Sequence, residues 1–123
     1  MYEVRVAANF SSAHFLRGYL GKCENLHGHN WKVEAVVKGE NLNKTGILAD
    51  FKQVKQMLSE ILSQLDHKNL NELDFFKSNN PSSENLAFYV FKKMQDNIKN
   101  ISGISLSKVK VWEQENSCAV YYE

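Results

Sequence analysis

The chain has 123 residues, 43% of them hydrophobic and 24% charged, the size and composition of one ordinary soluble domain. Fifteen basic and fourteen acidic residues are spread along it, leaving a formal charge of +1 and no basic stripe to neutralise a phosphate backbone, which argues against a nucleic-acid partner. No apolar run is long enough for a leader or a membrane span, and two cysteines, Cys23 and Cys118, are too few for a disulfide scaffold, so an unprocessed cytoplasmic protein with free thiols is expected.

Tyr2, Val4, Val6, Ala8 and Phe10 alternate with Glu3, Arg5, Ala7 and Asn9, the period of a half-buried strand. A loop containing Gly18 and Gly21 leads to His27-Gly28-His29, after which Trp31, Val33, Ala35 and Val37 share a face opposite Lys32, Glu34 and Lys38. The two strands are expected to pair antiparallel, although the stretch between them is too long for a tight hairpin. Turn residues from Gly39 to Gly46 precede Asp50, which caps a helix with Phe51, Val54, Leu58, Ile61, Leu62 and Leu65 on its apolar face. Asp66-His67 ends that pattern, and a polar loop runs to Pro81, the single proline. Ser82 or Ser83 opens a second helix with Leu86, Ala87, Val90, Phe91, Met94 and Ile98 on one side. A third strand holds Val109, Val111 and Glu113, and Ala119 to Tyr122 complete a C-terminal hairpin through Asn116-Ser117. The order β-β-α-α-β-β is an α+β arrangement, a four-stranded antiparallel sheet with two helices on one face, whose two free edges self-association would cover.

Three of the four histidines lie between positions 14 and 29. Side chains two apart on a strand point the same way, so His27 and His29 can present imidazoles to one ion, with Gly28 leaving room between them. His14 can arrive from the neighbouring strand. Three histidines with an open fourth position describe a catalytic zinc site, with the metal as Lewis acid. Two other readings stand beside it: a polar turn with an unrelated His14, and a closed structural site with Cys23 as fourth ligand. A nearby cation would lower the pKa of Cys23, making it a candidate base or nucleophile, whereas Cys118 in a strand reads as packing. His67 beside Asp66 is either a proton-transfer partner or a charge at a helix end. Glu113 shares the parity of Val109 and Val111, so it is either a strand-end charge reaching solvent or a carboxylate that pairs with two N–H groups of a ligand.

Several motifs in this order resemble the 6-pyruvoyl-tetrahydropterin synthase superfamily: Phe10-Ser11-Ser12-Ala13-His14, Cys23-Glu24-Asn25-Leu26-His27-Gly28-His29, Asp50-Phe51, Leu65-Asp66-His67-Lys68-Asn69-Leu70-Asn71, Pro81-Ser82-Ser83-Glu84-Asn85-Leu86-Ala87 and Val111-Trp112-Glu113. The chain is most similar to the bacterial 6-carboxytetrahydropterin synthase branch of the queuosine (7-deazaguanine) pathway, because only three residues separate Cys23 from His27. Ser82 departs from the family, which more often has threonine after the proline; both residues cap helices.

The resemblance implies the tunnelling fold, in which three subunits close their sheets into a barrel and two such rings stack, with active sites between subunits. It implies zinc on His14, His27 and His29, bound to the side-chain hydroxyls of 7,8-dihydroneopterin triphosphate, and a pterin ring held by Glu113 next to Ser82 and Ser83. Cys23 becomes the proton acceptor, with His67, oriented by Asp66, relaying protons; the Asp66–His67 pairing requires a bent backbone, since adjacent side chains diverge in regular structure. The implied products are acetaldehyde and 6-carboxytetrahydropterin. The resemblance does not say which cations hold the triphosphate; Arg17, Lys22 and Lys68 are candidates from position alone. A pyruvoyl-forming or side-chain-cleaving synthase and a non-catalytic pterin-binding protein are the alternatives; a zinc hydrolase lacks a glutamate placed as in a His-Glu-x-x-His helix.

Overall fold

The computed structural model describes residues 1–21 and 24–123. Two long strands, β1 (Tyr2–His14) and β2 (His27–Gly39), pair antiparallel along their whole length, followed by α1 (Phe51–Ser63), a 3-10 turn (Leu70–Glu72), α2 (Asp74–Ser78), α3 (Ser83–Ile98), β3 (Ser105–Gln114) and β4 (Ser117–Tyr121). The sheet order is β1-β2-β3-β4, every neighbour antiparallel. The alternation seen in the sequence puts Val6, Phe10, Trp31, Val33, Ala35, Val109 and Val111 into the core, where they meet Val54, Leu58, Ile61 and Leu62 of α1 and Leu86, Val90, Phe91 and Met94 of α3. Asp50 caps α1 through Lys52 N at 2.9 Å, and Ser82, not Ser83, caps α3 through Asn85 N at 3.1 Å.

Four expectations are corrected. The stretch after His67 is more than a polar loop: Leu70, Leu73 and Phe76 recur at three-residue spacing and drive a 3-10 turn and a five-residue helix onto the core, too short a pattern to show as helical periodicity. Phe51 opens α1 but stays exposed, lining a hollow of about 650 Å³ with Tyr2, Leu42 and Ile47. The C-terminal turn falls on Glu115-Asn116, because a bulge between Trp112 and Gln114 lets Ser117 pair already as a strand residue. Cys118 lies in β4 as expected but is exposed there, on an edge strand that nothing covers among the described residues.

The outer edge of β1 is covered where it approaches the histidines. Asp66 Oδ1 accepts Ser11 N–H at 2.8 Å, His67 N–H donates to Ser11 O at 2.6 Å, and Ala13 N–H donates to Lys68 O at 3.0 Å. Ser12 Oγ donates to Leu65 O and accepts Lys68 N–H at 3.2 Å. The hydrogen bond from Ser11, reinforced by the His67 ring, holds the Asp66 carboxyl below the usual carboxylate range.

Two outcomes follow for stability. A folded-state pKa below the unfolded value of about 3.9 contributes stability at neutral pH that disappears as pH falls through the depressed pKa. Asp66→Asn is therefore expected to lower the urea midpoint at pH 7, with a difference that shrinks as the pH falls below the unfolded value, whereas a pH-independent difference would show that the charge is irrelevant. Gly39 ends β2 with Gly103 O 2.5 Å and Leu48 Cδ1 2.6 Å from where a Cβ would stand. Gly39→Ala is expected to cost about 1–3 kcal/mol in denaturant unfolding, because a backbone oxygen cannot step aside.

Candidate metal centre

His14 and His27 are direct partners in the β1–β2 ladder, and His29 faces Ser12, so the three imidazoles rise from one face of two strands. The strand that the sequence pattern ends at Phe10 continues to His14, and this extension delivers the third histidine. The ring centroids are 4.7 Å apart for His14 and His27, 5.1 Å for His14 and His29, and 4.8 Å for His27 and His29, with each pair steeply inclined. Trp31, fully buried, forms the floor, its ring edge-on to His14 at 4.9 Å and to His29 at 5.3 Å, with Phe10 stacked beyond it.

Two carbonyls set the ring orientation. His14 Nδ1 is 2.7 Å from Pro81 O, and His27 Nδ1 is 2.8 Å from Asn25 O. A carbonyl only accepts, so each Nδ1 carries a proton, and in the neutral ring this leaves Nε2 with the lone pair, the arrangement by which outer hydrogen bonds orient metal-binding imidazoles. His14 Nε2 and His29 Nε2 are buried with no hydrogen-bond partner. Burial pushes the His29 pKa down, and the His14 and His27 rings act in the same direction, against the opposing pull of Glu113. Neutral imidazoles with unused, converging nitrogens are what a cation requires.

Glu113 completes the cluster from β3. Its Oε1 lies 2.8 Å from His29 Nε2, off the hydrogen-bonding direction, and 3.7 Å from His14 Nε2, while Oε2 lies 3.4 Å from Ser83 Oγ. The side chain thus faces the histidines and the start of α3 and does not simply point to solvent. His14, His27, His29 and Glu113 each offer one ligand atom, and these atoms lie within 4.8 Å of one another, so the group could hold a metal ion.

The other expected site residues fall around this centre or apart from it. Ser83 borders a hollow of about 540 Å³ shared with Glu113, Gln114 and Cys118, whereas the Ser82 hydroxyl is engaged in capping α3. His67 does contact Asp66, with Nδ1 2.9 Å from Oδ2, and the bend that the contact requires is present as a left-handed backbone at His67, φ 54°. The His67 ring is 83% exposed and outside the four-residue cluster. Arg17 donates from Nη2 to Phe76 O, and Lys68 is exposed. Cys23 and Lys22 lie outside the described residues. The Pro81 carbonyl and the Trp31 ring were invisible to sequence reasoning as site parts, since a backbone acceptor has no residue signature and the tryptophan reads as core.

Among the described residues, no helix is long and apolar enough to cross a membrane. The family model described as 6-pyruvoyl tetrahydropterin synthase matches residues 3–123. The chain is 34% identical over 107 residues to a dihydroneopterin monophosphate aldolase of Pyrococcus furiosus, covering 86% of this chain and 84% of the relative. It is 31% identical over 116 residues to a putative 6-carboxy-5,6,7,8-tetrahydropterin synthase of Archaeoglobus fulgidus, covering 94% and 91%. The structure of the Caenorhabditis elegans 6-pyruvoyl tetrahydropterin synthase superimposes with a TM-score of 0.86 at 30% identity, covering 99% of this chain and 95% of that one. With sequence, fold and a histidine–carboxylate centre in agreement, the chain belongs to the 6-pyruvoyl tetrahydropterin synthase family.

Proposed function

We propose that this family member is a zinc-dependent 6-carboxytetrahydropterin synthase, converting 7,8-dihydroneopterin triphosphate to 6-carboxy-5,6,7,8-tetrahydropterin, acetaldehyde and triphosphate in 7-deazaguanine (queuosine) biosynthesis. The observation that carries the reading is the convergence of three imidazoles, two of them with a buried Nε2 that has no hydrogen-bond partner, beside a carboxylate on the adjacent strand. His14, His27 and His29 are the zinc ligands in this reading, a three-nitrogen set that leaves a position for substrate. Bound there, zinc supplies Lewis acidity toward the hydroxyls of the substrate side chain.

The remaining roles belong to the chain itself. Glu113 offers two oxygens to the paired N–H groups of the pterin ring, which requires its carboxylate to turn from the histidines toward the ring. Ser83, 3.4 Å from that carboxylate, borders the same hollow. Cys23 accepts the proton removed from the side chain, and His67, oriented by Asp66, relays it. The exposure of His67 suits service to a neighbouring subunit's centre, in a trimer or dimer of trimers whose sheets join at the β1 and β4 edges. The spacing of Cys23 and His27 supports the carboxy branch; the likeness to an aldolase acting on a monophosphate and to a pyruvoyl synthase favours, as a second reading, another cleavage or rearrangement of the same side chain.

Incubation of zinc-loaded protein with dihydroneopterin triphosphate, and separately with the monophosphate, separates these readings by product. Acetaldehyde with 6-carboxytetrahydropterin is expected; a pyruvoyl product or turnover of the monophosphate alone overturns the branch, and zinc binding without turnover makes the chain a pterin-binding protein.

Metal analysis is expected to give about one zinc per chain, lost in His27→Ala and in His29→Ala, since two imidazoles are too few for a stable site. Undiminished zinc in both variants would refute the ligand set. Glu113→Gln is expected to keep zinc and fold while its affinity for a pterin lacking the triphosphate drops by about 1.5–3 kcal/mol, the range for a charge-assisted hydrogen bond lost with a donor left unpaired. Loss of zinc in that variant would make Glu113 a ligand instead.

A further inference from the structure

Beyond His14 the chain leaves the β1–β2 ladder, yet residues 15–17 keep their backbone groups paired in alternation. Phe15 N–H donates to Asn71 Oδ1 at 2.9 Å, and Asn71 Nδ2 donates back to Phe15 O at 2.9 Å. Arg17 is held in the same way, its N–H donating to Asn80 Oδ1 at 2.9 Å and its carbonyl accepting from Asn80 Nδ2 at 2.9 Å. Each primary amide thus reproduces, with one side chain, the two-way N–H···O exchange of a hydrogen-bonded strand pair. On the opposite side Leu16 pairs with Glu24, its carbonyl accepting Glu24 N–H and its N–H donating to Glu24 Oε1, both at 3.2 Å.

The amides are themselves fixed. Asn71 is buried in the 3-10 turn, with its own N–H on Asn69 Oδ1 at 3.1 Å, and the Asn80 carbonyl accepts Asn85 Nδ2 at 2.8 Å beside the cap of α3. Immediately past the second clamp the backbone turns left-handed at Gly18, Leu20 and Gly21, with φ of 74°, 52° and 78°. A leucine in that region is strained and persists only where its surroundings hold it. The loop that starts here carries Cys23 in sequence and returns at His27.

We propose that Asn71 and Asn80 are positioning residues for the reaction: their amides extend β1 by side-chain pairing and fix the stalk from which the Cys23-bearing loop departs. The proposal rests on the assignment of Cys23 as proton acceptor. Without the clamps, Phe15 and Arg17 lose their partners and the loop's starting direction is released, which on that assignment misplaces the proton acceptor the loop carries.

The test uses Asn80→Ala, Asn71→Ala and Asn80→Asp in a Cys118→Ser background, in which Cys23 is the single thiol. With zinc content and circular dichroism as in the background, both alanine variants are expected to lose about 10- to 100-fold in kcat with KM within about threefold, the pattern of a misplaced group and not of lost substrate binding. Iodoacetamide should alkylate Cys23 in them at a rate that differs from the background by about fivefold or more. Asn80→Asp keeps the acceptor for Arg17 N–H and should fall between. If Asn71→Ala does not fold, Asn80→Ala decides alone. Background-like kcat and alkylation overturn the proposal, as does a kcat loss that tracks loss of zinc. If the background protein does not turn over dihydroneopterin triphosphate, the functional reading fails separately, and an unchanged alkylation rate would still overturn the clamp.

Discussion

Cross-strand pairing of His14 with His27 is the contact on which the site depends. Strand side chains alternate, so a slip of one residue would carry His14 to the other face of the sheet and leave two imidazoles where three converge. The register is set by burial further along the same ladder. Phe10 faces Trp31, Ala8 faces Val33 and Val6 faces Ala35, and moving those residues to the outer face would expose most of the sheet's apolar surface. The energy that fixes the histidines therefore comes from the core, at a distance from the chemistry.

The converging nitrogens carry a cost. A buried nitrogen with no hydrogen-bond partner costs about 1–3 kcal/mol, and His14 and His29 each present one. Trp31 below and the Pro81 and Asn25 carbonyls behind leave the rings little freedom to turn and satisfy themselves otherwise. The centre is preorganised, and a cation relieves the cost that preorganisation incurs.

Edge protection and site construction use the same segment. Residues 65–80 lie along the end of β1 and the segment that continues it, from Ser11 to Arg17, first through backbone at His67 and Lys68, then through the side chains of Asn71 and Asn80. An exposed edge is an invitation to pair, and here it is closed by a chain that also brings Asp66 and His67 together and leads Pro81 to His14. The upper part of β1 and all of β4 keep free edges among the described residues, which is where copies of the chain could join.

The alternation of Tyr2 to Phe10 and of Trp31 to Val37, the caps at Asp50 and Ser82, and the helical spacing through Leu62 and Met94 were legible from sequence because each is a short-range pattern enforced by backbone period. The three histidines could be grouped on the same ground, together with the motif order that marks the family. Tertiary structure alone decided that β1 runs on to His14, that Glu113 turns toward His29, that Cys118 is exposed and Phe51 unburied, and that two separate asparagines, Asn71 and Asn80, serve as a strand edge. The Glu113 and asparagine contacts join residues 56 to 84 positions apart, and no local window of the sequence contains their energies.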